Sequence, residues 1–125
     1  MSSYSGSMLF ISGSNDTVDL SGGGNTVTDK GGGNTFILPS ASQQPASITS
    51  NIFNMDDVLD LRTALAGTDW NGSTRQLWHY LSVSTSSDAA VINLAKTAGG
   101  SGTTIATISG AAGLNLHSLL SHATT

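Results

Sequence analysis

The side chains best suited to chemistry lie in one stretch of the chain, between residues 70 and 79. The stretch contains both tryptophans of the protein, together with amide, guanidinium and imidazole groups. The flat faces of indole rings stack on the apolar faces of pyranose rings, and polar neighbours can then bind the hydroxyls around the sugar. The candidate carbohydrate-binding residues are Trp70, Asn71, Arg75, Gln76, Trp78 and His79.

The positions around Trp78 predict which of its neighbours are buried. Leu77, Tyr80 and Leu81 follow the spacing of one helical face, so a helical turn here places these three side chains in the core. Trp78 and His79 are then rotated toward solvent. The alternative is that both tryptophans belong to the core, and it is stronger for Trp70, which comes directly before a turn.

Other polar groups offer no catalytic set. Asp56, Asp57 and Asp60 would lie on one short helix and cannot straddle a sugar as a glycosidase requires, so we expect them to cap that helix, with calcium ligation as the alternative. His117 and His122 point in different directions on a helix and are expected to be solvated. No nucleophile elbow, phosphate-binding loop or zinc spacing occurs. The sequence therefore favours a protein that is not an enzyme.

Composition limits the class of protein further. The 125 residues are enough for one domain spanning 1–125, and only 10% of them are charged. All eight acidic residues are Asp, which suits turns better than long helices and favours a β protein. A net charge of −4 with only four basic residues argues against nucleic-acid binding, and no apolar run is long enough to span a membrane.

Two further features concern export. The chain has no cysteine, so neither a disulfide framework nor a thiolate metal site is expected. The first charged residue is Asp16, so the start resembles no secretory signal. We expect either a module of a larger protein or an export signal located elsewhere.

Three consecutive nine-residue units, beginning at Gly13, Gly22 and Gly31, repeat a glycine turn, an Asx-Thr step and an apolar residue. Each unit supplies one turn and one short strand, which cannot bury its apolar residue alone, so a repeat of this period predicts stacked β structure. The predicted buried positions are Val18, Val27 and Phe36.

The rest of the chain divides into a loop and a capping half. We place the repeat segment at 10–39, preceded by an edge strand around 8–11, the loop at 40–47 and the capping half at 48–125. In that half, Val58, Leu61 and Leu65 at helical spacing predict a short helix ended by Gly67. Alternating residues then predict strands at 81–86, 90–95 and 103–108, and the apolar segment 114–120 closes the chain as a helix or strand.

These patterns resemble a known arrangement. Ser14-Asn-Asp-Thr-Val18, Asp57-Val-Leu-Asp-Leu61, Tyr80-Leu-Ser-Val83 and the later Thr-Ile-Ala-Thr-Ile run are similar to the nonapeptide β-roll of the repeats-in-toxin type, followed by the C-terminal target domain of type I secretion substrates. The resemblance covers most of the chain from Gly13 onward. It implies a mainly β fold, with a short β-solenoid or β-roll packed on an antiparallel, sandwich-like second half with one or two short helices.

The same resemblance raises calcium as a cofactor. The sixth position of the family's repeat is a calcium-binding Asp, whereas here it is Asp16, Asn25 and Asn34. Asn offers a hard oxygen ligand without the charge that raises calcium affinity. The candidate metal ligands are therefore Asp16, Asn25 and Asn34 with Asp19 or Asp29 nearby, and the alternative is a ladder of stacked, hydrogen-bonded Asx side chains.

Modules of this type accompany secreted bacterial glycoside hydrolases. The resemblance and the aromatic cluster together predict a secreted, monomeric, non-catalytic carbohydrate-binding module for β-linked glucans, covalently linked to a catalytic domain. The alternative prediction is a C-terminal type I secretion signal and folding cap, whose apolar tail is read by the transporter.

Overall fold

The computed structural model describes residues 6–49, 58–86, 89–109 and 123–125, and strand is its main secondary structure. The strands are β1 (Met8–Ile11), β2 (Thr17–Asp19), β3 (Thr26–Asp29), β4 (Thr35–Ile37), β5 (Ala46–Thr49), β6 (Val58–Asp60), β7 (Leu81–Ser86), β8 (Ala89–Leu94), β9 (Thr103–Ser109) and β10 (Ala123–Thr124). A short α-helix, α1 (Arg62–Ala66), and a 3₁₀ helix (Thr74–His79) lie between β6 and β7. Neither helix has the length and apolarity needed to cross a membrane.

The strands form two sheets, of which the larger is mixed and the smaller is parallel. One sheet has six strands in the order β1-β3-β5-β9-β8-β7, and the other has four in the order β10-β6-β4-β2. Consecutive strands of the N-terminal segment therefore alternate between the two sheets. Each pairs in parallel with the next strand but one, so that Met8 lies beside Thr26 and Thr17 beside Thr35.

The nine-residue period has a direct structural meaning. Two units carry the chain through one strand of each sheet and back to the position next to the starting strand, eighteen residues later. Because the side-chain period of a strand is two, the central residue of each short strand points inward. Val18, Val27 and Phe36 are all buried, as the repeat predicts.

Glycine is required where the turns of successive coils touch. A Cβ added to Gly31 would overlap the carbonyl oxygen of Gly13, eighteen residues earlier. Gly23 and Gly33 have positive φ angles of 83° and 68°, which other L-residues rarely adopt. The glycine positions of the repeat are thus explained both by close backbone approach and by turn conformation.

The antiparallel strands of the second half extend the sheet that the repeat begins. Strand β9 pairs in parallel with β5 on one side and antiparallel with β8 on the other, and β8 continues to β7. A bulge at Ile105 adjusts the register between β8 and β9. The sequence predicts a sandwich-like second half packed on the repeat. Among the described residues, its strands instead continue the sheet of the repeat, because β9 pairs with β5.

One hydrophobic core lies between the two sheets. Its largest fully buried side chains include Phe36, Ile48, Leu59 and Ile92 from the two sheets and Leu77 from the 3₁₀ helix, and α1 adds smaller contributions. Burying such a side chain stabilises the fold by roughly 1.5–3 kcal/mol. The repeat segment and the second half therefore share a core.

The helix predicted from Val58, Leu61 and Leu65 is partly wrong. Val58 to Asp60 form β6, which extends the four-stranded sheet beside β4, and the helix spans only Arg62–Ala66. It ends at Gly67 as predicted, but no side chain caps its start. Val58–Asp60 pairs with the edge of β4 instead, and this pairing outweighs the helical spacing of the apolar residues, as tertiary contacts commonly do in short segments.

The remaining predicted elements are mostly confirmed. The edge strand at 8–11 and the strands beginning near residues 81, 90 and 103 are present. The loop ends at Pro45 rather than at residue 47, because β5 starts at Ala46. Asp56, Asp57, His117, His122 and the segment 114–120 lie outside the described residues.

Candidate functional site

The 3₁₀ helix positions Trp78 by burying the residues around it. Leu77, Tyr80 and Leu81 are buried, as the spacing predicts, while 65% of the Trp78 side-chain surface is exposed. The backbone N–H of Tyr80 bonds the carbonyl of Leu77 at 2.9 Å, so the helix ends directly before β7 begins. An exposed indole is thus held on a short, anchored element rather than on a free loop.

His79 packs against Trp78. The two ring centroids are 3.7 Å apart and the ring planes are inclined by 31°. The carbonyl of His79 also accepts a hydrogen bond from the N–H of Gly99 at 3.1 Å. These contacts fix the backbone beneath the indole and restrict the orientations that the ring can adopt.

Tyr80 supports the helix from below. Its hydroxyl donates a 2.6 Å hydrogen bond to the Asp69 carboxylate, and its carbonyl accepts one from the N–H of Ala95 at 2.7 Å. The bond to Asp69, together with burial, raises the pKa of the Tyr80 hydroxyl above its ordinary value. The backbone N–H of Asp69 in turn bonds the carbonyl of Lys96, which ties the helix to the segment after β8.

A cleft of about 210 Å³ lies beside Trp78 and His79. Its opposite wall is the glycine-rich loop before β9, in which Gly99 has a positive φ of 72°. A Cβ at Gly100 would lie 2.7 Å from the Thr97 hydroxyl, so the loop depends on glycine at that position too. The wall consequently presents backbone and no large side chain, and Ser82 adds a hydroxyl at the edge.

Trp70 lies in a different environment. Its ring is half-buried against the core, and its Nε1–H donates a 2.7 Å hydrogen bond to the carbonyl of Ser73. It lines a separate cleft of about 400 Å³ together with Asn71 and Arg62. This position agrees with the core alternative for Trp70 more closely than with an exposed binding platform.

The structure therefore divides the predicted carbohydrate-binding set. Trp78 and His79 share one cleft, and Trp70 and Asn71 share another. Arg75 and Gln76 are exposed on the 3₁₀ helix and line neither cleft. The separation follows from the short helix, because residues on its solvent face point away from the turn that carries Trp70.

The far wall of the Trp78 cleft does not follow from the sequence patterns. It is formed by the run Gly99-Gly-Ser-Gly102, which lies between the strands predicted at 90–95 and 103–108. Its concentration of glycine was the available signal, since such runs allow close backbone approach to a ligand. What the sequence does not show is that β8 and β9 bring this loop beside the 3₁₀ helix.

The candidate metal ligands make hydrogen bonds within the repeat. The Oδ1 atoms of Asn25 and Asn34 accept bonds from the backbone N–H groups of Ser7 and Asp16, each eighteen residues earlier, at 3.0 and 2.8 Å. Both Asn side chains are buried. The amide groups thus link successive coils through backbone hydrogen bonds.

The amide nitrogen of Asn34 makes two further bonds. It donates to the carbonyl of Gly13 at 3.1 Å and to the Asp29 carboxylate at 3.0 Å. Asp16 itself is exposed, and the Asp19 carboxylate accepts the N–H of Ser21 in a local turn. Within the described ranges, no three His, Cys, Asp or Glu side chains form a group that could hold a metal ion.

A similar local turn ends three strands. The carboxylates of Asp19, Asp29 and Asp60 each accept the backbone N–H of the residue two positions later, at 3.0 Å. Asp side chains favour such turns because the short carboxylate reaches its neighbouring backbone. The absence of Glu from the chain is consistent with this use of Asp.

Asp60 makes an additional ion pair. Its Oδ2 lies 2.7 Å from the Arg62 guanidinium, which also donates through Nε. The hydrogen bond from Arg62 is the main reason that the pKa of Asp60 is lowered, against the opposing effect of burial. Asp60 therefore satisfies the N–H of the first residue of α1 and pairs with its guanidinium, although it lies one residue before the N-cap position, which Leu61 occupies.

Comparison of the chain with protein-family models, with curated proteins and with solved structures finds no match. Function is therefore inferred from the geometry around Trp78.

Proposed function

We propose that this protein is a non-catalytic carbohydrate-binding module for β-linked glucans, with Trp78 as its principal binding residue. The observation that carries the proposal is the 65% exposure of an indole whose neighbours along the chain are anchored in the core. A flat indole is complementary to the apolar face of a pyranose ring, and Trp78 presents its ring to solvent beside a cleft.

The cleft beside Trp78 supplies the polar part of the interaction. The backbone of Gly99 and Gly100, the Ser82 hydroxyl and the His79 ring surround it and can bind sugar hydroxyls. The residues that line this cleft include no Asp, Lys or Arg, which suits an uncharged glycan. In this proposal Arg75 and Gln76 contribute little, since they lie outside the cleft.

Affinity electrophoresis through gels containing soluble β-glucans tests the proposal. Wild type should be retarded, and Trp78→Ala should lose at least about tenfold in affinity. Because the ring is mostly exposed, its removal should change the free energy of unfolding by no more than about 0.5 kcal/mol. Arg75→Ala, on the same helix, is the matched control and should bind as wild type does.

Two outcomes would reject the proposal. One is an unretarded wild type across several polysaccharides. The other is equal retardation of wild type and Trp78→Ala, which would move any binding away from the cleft. A strongly lowered melting temperature for Trp78→Ala would instead assign the indole a role in packing.

We also propose that the coiled N-terminal segment is a β-roll of the repeats-in-toxin type and that the protein is secreted as a monomer linked to a catalytic domain. Alternation of strands between two sheets and the eighteen-residue coil support this assignment. Calcium is part of the proposal, with Asp16, Asp19 and the Asn25 and Asn34 carbonyl oxygens as the candidate ligands. Ca²⁺ titration followed by calorimetry would detect a site of this kind.

The pairing of the last strand favours a second candidate function, a type I secretion signal and folding cap. Strand β10 pairs in parallel with β6 and completes the four-stranded sheet, so the end of the chain is part of the stacked structure. Removing residues 114–125 from a reporter fusion should then stop its export. Undiminished export of the truncated fusion would reject this function while leaving glycan binding open.

A further inference from the structure

The outward face of the six-stranded sheet carries two rows of uncharged side chains. Both rows start on β1 and run across β3, β5, β9 and β8, and the first continues to β7. The first row starts with Met8 beside Thr26, and the second with Phe10 beside Thr28. The first row is Met8, Thr26, Ser47, Thr107, Val91 and Ser84, and the second is Phe10, Thr28, Thr49, Ser109 and Ala89.

The rows face solvent. Their neighbours along each strand, such as Val27, Ile48 and Ile108, are buried in the core, so the alternate side chains must point away from it. Every side chain of the two rows is exposed or half-buried. Neither row contains a charged residue.

The apolar end of the rows is independently unusual. Met8 and Phe10 are 74% and 76% exposed, and with Trp78 they are the large hydrophobic side chains most exposed among the described residues. Both lie on β1, the edge strand of the sheet. Exposed apolar side chains grouped on one face indicate an interaction surface.

The spacing of the rows is set by the sheet. Neighbouring hydroxyls in a row are one strand spacing apart, about 4.7–4.9 Å, and the two rows are separated by two residues of strand, about 6.5 Å. An extended β-linked glycan advances by a comparable distance for each sugar. A chain lying across the strands would therefore meet three successive hydroxyls, Thr26, Ser47 and Thr107 in the first row or Thr28, Thr49 and Ser109 in the second, each able to donate and accept.

We infer that this face binds the surface of an insoluble, uncharged β-linked polysaccharide, with Phe10 and Met8 contacting sugar rings at one end and the Ser and Thr hydroxyls contacting the chains beyond them. The inference rests on the proposed function but uses a different surface from the Trp78 cleft. The protein then has two sites, a cleft for a single chain and a flat face for an ordered array of chains.

The test measures depletion of the protein from solution by microcrystalline cellulose. The double variant Ser47→Lys/Thr49→Lys places two long cations in the centre of the face, at exposed positions whose substitution leaves the core intact. It should lower the partition coefficient by about tenfold or more. Thr17→Lys, the same kind of change at an exposed position of the other sheet, is the control and should adsorb as wild type does.

Phe10→Ala should also weaken adsorption, and its unchanged melting temperature would show that the loss concerns binding. Equal adsorption of wild type and the double lysine variant would overturn the inference. Adsorption of neither protein would overturn it as well. Shaping of growing ice crystals by wild type, without adsorption to cellulose, would assign the face to ordered water and likewise overturn the polysaccharide assignment.

The two proposals fail separately. If soluble glucans retard wild type in a Trp78-dependent way while the lysine variant still adsorbs normally, the cleft stands and the flat face does not. If the lysine variant alone loses adsorption and no soluble glucan is bound by wild type, the flat face stands and the cleft does not.

Discussion

Replacing Asn34 by Ala tests how the coils of the repeat are held together. The side chain is completely buried, and its hydrogen bonds include those to the N–H of Asp16 at 2.8 Å, the carbonyl of Gly13 at 3.1 Å and the carboxylate of Asp29 at 3.0 Å. Asp16 and Gly13 lie one coil earlier, whereas Asp29 lies at the end of the preceding strand in the same coil. The substitution therefore removes links between coils while leaving the strands themselves unchanged.

The expected loss follows from these partners. A hydrogen bond between neutral groups contributes about 0.5–1.5 kcal/mol, and one to a charged group about 1.5–3 kcal/mol. Asp16 and Gly13 are exposed, so water can replace the amide there, whereas Asp29 is buried and retains only its other hydrogen bonds. We expect Asn34→Ala to lower the free energy of unfolding by about 2–4 kcal/mol.

Urea unfolding followed by circular dichroism measures this change. Asn15→Gly is a suitable control, because Asn15 is exposed with a positive φ of 60° that glycine adopts freely. It should lie within about 0.5 kcal/mol of wild type. A loss below about 1 kcal/mol for Asn34→Ala would refute the argument that this amide links the coils.

Asn34→Asp extends the same experiment to charge. A carboxylate at this position cannot donate to Gly13 or Asp29, and it would repel the Asp29 carboxylate, so the variant should be less stable than Asn34→Ala in the presence of a chelator. If the position can ligate calcium, added Ca²⁺ should restore part of the loss by binding the native state. No effect of Ca²⁺ on either wild type or Asn34→Asp would argue against calcium in this part of the repeat.

Three further results are expected. Gly31→Ala should destabilise the fold by more than about 1 kcal/mol in urea unfolding because its Cβ meets backbone, whereas Gly67→Ala, with ordinary contacts, should change it by less than that. The pKa of the Tyr80 hydroxyl is raised, so its hydrogen bond to Asp69 contributes fully to stability below the ordinary pKa of 10.0 and is lost as the pH rises through the higher folded value. Tyr80→Phe should therefore lose less stability than wild type as the pH rises into the alkaline range. An equal loss in the two proteins would contradict this. The pKa of Asp60 is lowered, so its ionised carboxylate stabilises the fold above the ordinary pKa of 3.8, and this effect is lost as the pH falls through the lower folded value. Asp60→Asn should therefore be less stable than wild type at pH 7 and approach it near pH 2. Thermal melts across that range measure the difference.

Much of the fold could be predicted because its information is local. The nine-residue period fixes the turns, the buried positions and the short strands of the N-terminal segment, and alternation fixes β7. Segment 58–66 could not be assigned in the same way, because its helical spacing competes with an open sheet edge that only the folded chain provides. The same reason explains β5, whose first two residues, Ala46 and Ser47, fall within the loop predicted at 40–47.

The candidate site was predicted only in part. The burial of Leu77, Tyr80 and Leu81 and the exposure of Trp78 follow from the angular spacing of a helical turn, which the sequence contains. The division of Trp70 from Trp78 does not, since it depends on the indole N–H of Trp70 reaching the carbonyl of Ser73. The glycine wall was likewise missed, because its distance in sequence from Trp78 hides its proximity in space.

The sequence by itself determined the coil, because its period places a glycine, an Asx and an inward apolar residue in every unit. Only the tertiary structure decided what the coil is joined to and which surfaces result. Pairing of β5 with β9 carries the sheet into the second half, and that register aligns the outward rows that begin at Met8 and Phe10. The alternation of apolar residues decides which face of β9 is buried, but which strand β9 pairs with, and at which residues, depends on contacts between residues far apart in sequence, such as Ala46 and Ala106, that no local pattern specifies.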